Sequence, residues 1–326
     1  MQIYALLSLL LVAPTALAQQ QYSLVDAFAG PAFYDAFVWE TFSDPTHGRT
    51  NYVDIGTAIS NNLSYATPSK FVMRADYTHV VPASARGRDS VRITSKTAYT
   101  EGLYILDLSH MPTGCATWPA WWTFSRNGPW PSGGEIDIIE GVNQNTANLA
   151  SLHTAPNCKM SKARQQTGST VSNDCDTNVN YNQGCGTSFI KANSYGPAFN
   201  AQGGGYYVLS RTENEISVWF WSRTDPSVPH EVSQSSQMIR IPSPGPTWGT
   251  PDATFPLSNN GGDCDYQSHF DPHHIIFDLT LCGDWAGTAF ATSGCGLSSC
   301  EDYVNNNPAS FVEAYWEINS LRIYTQ

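Results

Sequence analysis

Three carboxylates stand close together in the stretch GGEIDIIEGVN at residues 133–143, and their types and spacing could support chemistry. They are Glu135, Asp137 and Glu140, and every position between them is isoleucine. β-Branched residues bounded by glycines predict a short strand. Side chains alternate in a regular strand, which would send Glu140 to the opposite face from Glu135 and Asp137. One extra residue in a β-bulge before Glu140 would return all three acids to one face and pack the isoleucines on the other.

Two carboxyl groups on one strand face suit the hydrolysis of a glycosidic bond. Hydrolysis with retention needs an ionised carboxylate that attacks the anomeric carbon, and a second carboxyl about 5 to 5.5 Å away that donates and later accepts a proton. Crowding of Glu135, Asp137 and Glu140 raises the pKa of at least one of them, which keeps a proton donor available. A solvated strand face and a calcium site are the two other interpretations of these acids.

The rest of the chain predicts the elements that must position the acids. Segments with alternating or β-branched residues recur throughout, and long amphipathic helical patterns are missing. Many strands joined by turns predict an antiparallel sandwich or barrel, and residues 205–223 predict one of its hairpins. Residues 155–204 hold three cysteines among many polar residues and predict a loop insertion pinned by disulfides. No repeat or linker divides the chain, so we expect one domain over residues 19–326.

The cysteines and the N-terminal segment indicate an extracellular protein. Residues 1–18 predict a secretory signal peptide, because an apolar segment too short to span a bilayer ends in Ala16-Leu17-Ala18. All 8 cysteines follow it, and an even number predicts four disulfides without determining their pairing. Zinc binding is disfavoured because paired C-x-x-C spacing is missing. Asn62 begins a glycosylation sequon. We therefore expect a secreted protein.

The charge and the aromatic content restrict the partners. A formal net charge of −12 argues against nucleic acid and anionic membranes, which bind basic surfaces. Aromatic residues make up 12% of the chain, nearly as many as the 13% that are charged, and this balance suits aromatic platforms that stack on sugar rings. We expect a neutral polysaccharide as the partner, no membrane association and a monomeric protein.

Three motifs give the sequence a family resemblance: TWPAWWTF at 117–124, WPSGGEIDIIEGVN at 130–143 and LHT at 152–154. Together with DPTHGRTNYV, GRDSVRI and CGDWAG, they resemble the fungal laminarinase-like members of glycoside hydrolase family 16 over nearly the whole mature chain. The resemblance implies an all-β fold, a concanavalin-like β-jelly-roll sandwich of two antiparallel sheets, with a substrate cleft across one sheet. It also implies endo-hydrolysis of β-1,3- or mixed β-1,3/1,4-glucans with retention, and the bulged form of the acidic strand.

The same resemblance implies roles for individual residues. Glu135 matches the nucleophile, Glu140 the acid/base and Asp137 the assisting aspartate. The positions suggested for substrate binding are His153, Trp122, Trp130, Trp285, Asn51 and Arg92. Chemistry carried by two carboxylates needs no metal or organic cofactor, and the sequence leaves open whether a structural calcium ion is bound. Strand alternation points Trp121 away from Trp118 and Trp122, into the core.

Three functions are compatible with these residues. The first is a secreted endo-β-1,3(4)-glucanase. The second is a cell-wall transglycosylase, in which the same acids pass the glycosyl group to a sugar hydroxyl instead of water. The third is a glucan-binding lectin, because the jelly roll serves binding as well as catalysis. A lectin would not need both Glu135 and Glu140.

Overall fold

The computed structural model describes residues 21–234, 238–244 and 246–326, so the predicted signal peptide lies outside the described residues. Most of the regular structure is β-strand. The strands are β1 (Gln21–Phe28), β2 (Phe37–Trp39), β3 (Thr50–Tyr52), β4 (Ser64–Thr67), β5 (Lys70–Arg74), β6 (Arg88–Ser90), β7 (Arg92–Tyr99), β8 (Gly102–His110), β9 (Thr117–Ser125), β10 (Glu135–Glu140), β11 (Leu149–His153), β12 (Cys158–Lys159), β13 (Ser169–Thr170), β14 (Cys185–Ser188), β15 (Gly205–Arg211), β16 (Glu215–Ser222), β17 (Arg240–Pro242), β18 (Ala253–Pro256), β19 (Asp263–Cys264), β20 (His273–Leu281) and β21 (Tyr315–Thr325).

The helices are short and lie in the connections between strands. The α-helices are α1 (Ala32–Ala36), α2 (Ile55–Ser60), α3 (Pro197–Ala201), α4 (His230–Ser233), α5 (Tyr266–His269) and α6 (Cys300–Asn306). The 3₁₀ turns are Asn180–Asn182, Pro246–Trp248, Ser258–Asn260, Ala291–Ser293 and Pro308–Phe311, and Gly283–Gly287 forms a π-helical turn. Within the described ranges, no helix is both long and apolar enough to cross a membrane.

Two large antiparallel sheets form the sandwich. One runs in the order β17-β1-β21-β8-β15-β16-β18, with β5 paired to β21 and β4 paired to β5. The other runs in the order β13-β14-β11-β10-β9-β20-β7-β2 and contains the acidic strand β10 near its middle. The predicted jelly-roll sandwich is therefore confirmed, and the predicted hairpin of residues 205–223 is the pair β15–β16.

Apolar side chains from both sheets fill the space between them. The eight-stranded sheet contributes Trp121, Ile136 and Phe277, and the nine-stranded sheet contributes Leu106 and Tyr207, all of them fully buried. Trp121 therefore lies in the core, as alternation predicts. A second aromatic cluster, Trp219, Trp221 and Trp248, packs edge to face on the other side of the nine-stranded sheet. The acid-bearing face of the eight-stranded sheet is thus the one that can hold a ligand beside the carboxylates.

Four disulfides fasten the loops around the eight-stranded sheet, which confirms the predicted number. Two of them, Cys115–Cys295 and Cys282–Cys300, hold the segment after β20. The other two, Cys158–Cys264 and Cys175–Cys185, hold the region from 155 to 204. That region is more than the predicted loop insertion, because its strand β14 pairs with β11 and widens the sheet.

Candidate active site

The acidic strand contains the predicted β-bulge. On one side of β10, Asp137 pairs with Trp122 and Ile139 with Trp121, so Ile138 is the extra residue. On the other side, the register shifts between Asp137 and Glu140 as well. All three isoleucines of the strand are fully buried. The bulge therefore places Glu135, Asp137 and Glu140 on the face that points away from the core.

A buried asparagine stabilises the bulge. The bulge interrupts the regular hydrogen-bond ladder between Asp137 and Glu140, so backbone groups there lose ladder partners. The side chain of Asn148 replaces those partners: its Oδ1 accepts from the Glu140 backbone N–H at 3.1 Å, and its Nδ2 donates to the Ile138 carbonyl at 2.8 Å. Asn148 is fully buried. No sequence motif singles out this residue, because its role depends on how β10 and β11 face each other.

Replacing Asn148 with alanine should therefore both destabilise the protein and misplace Glu140. Two buried backbone groups lose their partner, and we expect a loss of about 2 kcal/mol or more in the free energy of unfolding. Urea unfolding and turnover per folded molecule measure the two effects. Asn200→Ala is a matched control, since the Asn200 side chain also bonds a backbone N–H and a carbonyl, those of Met111. Full turnover in the folded Asn148→Ala protein would show that the bulge does not depend on this side chain.

Each glutamate accepts a hydrogen bond from a tryptophan. Trp130 Nε1 donates to Glu135 Oε2 at 2.8 Å, and Trp118 Nε1 donates to Glu140 Oε1 at 2.9 Å. Trp130 is 46% exposed, so its ring remains open to a ligand beside Glu135. The contact between Trp118 and Glu140 was not predicted. Its only sequence signal is the shared strand face with Trp122.

The loop after β20 holds Trp118 in place. Trp285 lies in the π-helical turn and packs edge to face on Trp118, with ring centroids 5.7 Å apart. Asn143 ties this turn to β9, because its Nδ2 donates to the Ala286 carbonyl at 2.9 Å and its Oδ1 accepts from the Ala116 N–H at 2.8 Å. The structure thus brings the predicted residue Trp285 to the site, where it supports the partner of Glu140.

Asp137 contacts two residues of the neighbouring strand β11, Ser151 and His153. Asp137 Oδ2 accepts from Ser151 Oγ at 3.1 Å and lies 3.4 Å from His153 Nε2. His153 pairs across the strands with Glu135, and its Nδ1 lies 3.0 Å from Asn182 Oδ1.

Glu135, Asp137 and His153 have ligand atoms within 4.8 Å of one another, and they are the only such metal-binding candidates in the described ranges. Two carboxylates and an imidazole do not match the all-oxygen set that Ca²⁺ prefers. The cluster therefore gives no support to the calcium interpretation of the acids.

Burial dominates the electrostatics of the three acids. It raises the pKa of Glu140 to about 7, although the Trp118 hydrogen bond opposes that rise. It raises the pKa of Asp137 well above its usual range, and the charges of Glu135 and Glu140 raise this pKa further. The pKa of Glu135 is raised by burial too, while His153 and the Trp130 hydrogen bond work against the rise. A protonated Asp137 between the glutamates reduces their repulsion.

On the other side of β10, strand β9 carries Trp122 and strand β7 carries Arg92, which contacts the Trp122 ring. Trp122 lies beside Asp137 on β9, and the Arg92 guanidinium lies 4.9 Å from the centre of its ring. Arg92 is 5% exposed and forms an ion pair with Asp278 at 3.5 Å. The Arg92 guanidinium is therefore buried against the Trp122 ring on the same sheet face as the acids, and its contact with substrate stays a prediction.

Asp278 is a fourth carboxylate that the sequence did not reveal. It pairs with Ala120 on β9, the residue that pairs with Glu140 on its other side, so both acids share a face. Burial raises the pKa of Asp278 to about 7, although the Arg92 charge opposes that rise.

Asn51, another predicted substrate-binding residue, lies outside the eight-stranded sheet. It lies on β3, which pairs with β6 in a separate two-stranded sheet. Its Nδ2 donates to Asp89 Oδ1 at 2.6 Å. Substrate binding at Asn51 stays a prediction.

Two sheets packed as a jelly roll, with paired glutamates on the open face of one, define a glycoside hydrolase. The family model described as "XgeA-like, catalytic GH16 domain" matches residues 37–324. The chain belongs to glycoside hydrolase family 16, which confirms the resemblance.

Curated relatives share most of this chain. A probable glycosidase of Schizosaccharomyces pombe is 41% identical over 307 residues, which cover 93% of this chain and 69% of the relative. An endo-1,3(4)-beta-glucanase of Emericella nidulans is 37% identical over 319 residues, which cover 94% of this chain and 48% of the relative. The chain therefore spans only about half the length of the second relative.

Two solved structures are similar to this chain over nearly its whole length. Laminarinase 16A from Phanerochaete chrysosporium, holding 6-O-glucosyl-laminaritriose in donor and acceptor sites, is 48% identical with a TM-score of 0.89, covering 94% of this chain and all of that one. An elongating family 16 beta-1,3-glucosyltransferase is 38% identical with a TM-score of 0.84, covering 93% of this chain and all of that one.

Proposed function

We propose that this protein is an endo-β-1,3(4)-glucanase that hydrolyses laminarin-like and mixed-linkage glucans with retention of configuration. The observation that carries the proposal is the bulge in β10, which sets Glu135 and Glu140 on one open face, each with a tryptophan N–H on its carboxylate. The activities of the relatives support the choice of β-glucan as the substrate.

The proposed reaction uses the two glutamates in turn. Glu135 attacks the anomeric carbon while Glu140 gives its proton to the departing glycosidic oxygen, so the bond to the leaving sugar breaks as the bond to Glu135 forms. Glu140 then takes a proton from a water molecule that attacks the same carbon and releases Glu135. No cofactor enters either step. Asp137 and His153 orient the glutamates and adjust their charge.

Release of reducing ends from laminarin and lichenan by the purified protein tests the proposal. The wild-type protein should shorten both polymers from within, whereas the Glu135→Gln protein should bind laminarin without shortening it. Laminarin that is bound equally by both proteins and cleaved by neither would favour the lectin.

A transglycosylase is the second candidate, and the similarity to the elongating glucosyltransferase is the observation that favours it. The glycosyl-enzyme would then be resolved by a sugar hydroxyl. Chromatography of the products at high acceptor concentration separates the two: shorter products alone indicate hydrolysis, and products longer than the substrate indicate transfer.

We also propose that the protein is secreted, loses residues 1–18 and acts as a monomer. The four disulfides support an oxidising, extracellular location. N-terminal sequencing of the protein from culture medium should begin at Gln19, and light scattering should give the mass of one chain.

The pH dependence of kcat/KM should be determined by the protonation of the two glutamates. Glu140 must hold a proton for the first step, so kcat/KM should fall as the pH rises through about 7. Glu135 must be ionised, and because its pKa is raised, the acidic limb should lie above the usual range of a glutamate.

Replacing Trp118 with phenylalanine should move the alkaline limb to higher pH. The indole N–H favours the ionised form of Glu140, so its removal raises the pKa of Glu140 further. The measurement is kcat/KM on laminarin against pH. Trp248→Phe is a matched control, because Trp248 lies in the aromatic cluster packed on the nine-stranded sheet and donates to Glu231 at 2.6 Å. An alkaline limb that stays in place or moves to lower pH would contradict the assigned role of Glu140.

A further inference from the structure

Three consecutive residues near the acids adopt left-handed backbone conformations. They are Asn180, Tyr181 and Asn182, with φ of 50°, 56° and 60°. Asparagine tolerates this region better than other residues with a Cβ, whereas a tyrosine pays a conformational penalty there. The turn lies inside the loop closed by the Cys175–Cys185 disulfide, which restricts its movement.

The tyrosine in this turn makes no buried contact that would offset its conformational penalty. The Tyr181 side chain is fully exposed, so it removes no apolar surface from water within the chain. An asparagine at this position would adopt the same backbone conformation at lower cost. Neither packing nor backbone preference explains the residue type, and unexplained strain of this kind is typical of residues that meet a ligand.

The turn contacts His153, which lies beside the acids. Asn182 Oδ1 lies 3.0 Å from His153 Nδ1. The backbone of Gly184 runs so close to His153 that a Cβ there would lie 2.8 Å from ring atoms of the histidine, and its φ of +64° also favours glycine. His153 pairs with Glu135 across β11 and β10. Tyr181 therefore stands on the β14 side of the acids, whereas Trp122 stands on the β9 side.

We propose that Tyr181 is a sugar-stacking residue that extends the substrate cleft on the β14 side of the acids. A phenol ring can cover the flat apolar face of a pyranose. A glucan that crosses the sheet over Glu135 and Glu140 would meet Trp122 on one side and Tyr181 on the other. The inference rests on the proposed glucanase function and determines how long a chain the enzyme prefers.

The test compares Tyr181→Asn and Tyr181→Phe with the wild-type protein. The asparagine variant relieves the backbone penalty and removes the ring, so its melting midpoint should rise by about 2 °C while KM for laminarihexaose rises about fivefold at unchanged kcat. KM for laminaritriose should change much less, because a short chain does not have to reach the ring. The phenylalanine variant should match the wild type in both substrates. Tyr65→Asn, at a half-exposed tyrosine on β4, should leave both KM values unchanged.

Two results would overturn the inference. An unchanged KM for laminarihexaose in Tyr181→Asn would show that the ring meets no sugar. Equal losses on both substrates together with a lower melting midpoint would show a structural role. If the wild-type protein cleaves neither oligosaccharide, the glucanase proposal has failed instead. Calorimetric binding of laminarihexaose in the Glu135→Gln background, with and without Tyr181→Asn, then tests the ring by itself: equal affinities overturn the inference, and a fivefold difference supports it.

Discussion

Replacing Glu135 with glutamine should reduce kcat on laminarin by on the order of 10⁴-fold, because the covalent step loses its nucleophile. Substrate affinity should be retained, since glutamine has the same shape and can still accept the Trp130 hydrogen bond. Glu215→Gln is a matched control: Glu215 also accepts a side-chain hydrogen bond, from Asn260, but lies at the start of β16 on the other sheet.

A small anion can test the role of Glu135 more sharply. In Glu135→Ala, azide fits the space that the carboxylate leaves and attacks the anomeric carbon directly. One displacement inverts the configuration, so an activated laminaribioside should give the α-glycosyl azide. Formation of the β-azide by this variant, or near-normal turnover of Glu135→Gln, would assign the nucleophile to another group.

Replacing Glu140 with glutamine or alanine should cost 10²- to 10⁴-fold on laminarin, the usual contribution of a general acid. The loss should be far smaller for the first step with a dinitrophenyl laminaribioside, because that leaving group needs no proton. The alkaline limb near pH 7 should disappear, and azide should restore turnover of Glu140→Ala with the β-glycosyl product. A loss that is equal for both leaving groups would contradict the assignment of Glu140 as the acid.

The melting midpoint of Glu140→Gln provides a control for its loss of activity. The folded protein raises the pKa of Glu140 from its ordinary value of 4.5 to about 7, so ionising this residue costs more in the folded state. That cost develops as the pH rises between these two values, and Glu140→Gln removes it. The melting midpoint of Glu140→Gln should therefore exceed that of the wild type by more at pH 8 than at pH 4. A variant that is more stable but inactive cannot owe its loss to misfolding.

The features that could be predicted from the sequence depend only on the order of residues within a single strand. The isoleucines of β10 cannot all be buried beside three acids without a bulge, so the bulge follows from the spacing of Ile136, Ile138 and Ile139. Alternation likewise separates Trp121 in the core from Trp122 on the open face. These inferences need only strand geometry.

The contacts that sequence reasoning missed are made between strands. Asn148 on the turn before β11, Trp118 on β9 and Asp278 on β20 reach their partners only after the sheet has formed. No local pattern in the sequence identifies which residues these three contact. Arg92 illustrates the same limit, because only the packed sheet shows that its guanidinium contacts the Trp122 ring and pairs with Asp278.

The configuration of the first product tests the double displacement most directly. Proton NMR during the first minutes of laminarioligosaccharide cleavage, before mutarotation, distinguishes the anomers of the new reducing end. Attack by Glu135 followed by attack of water inverts the carbon twice, so the β-anomer should form first and the α-anomer should appear only later. Initial formation of the α-anomer would mean a single displacement, and Glu135 would then not be the nucleophile.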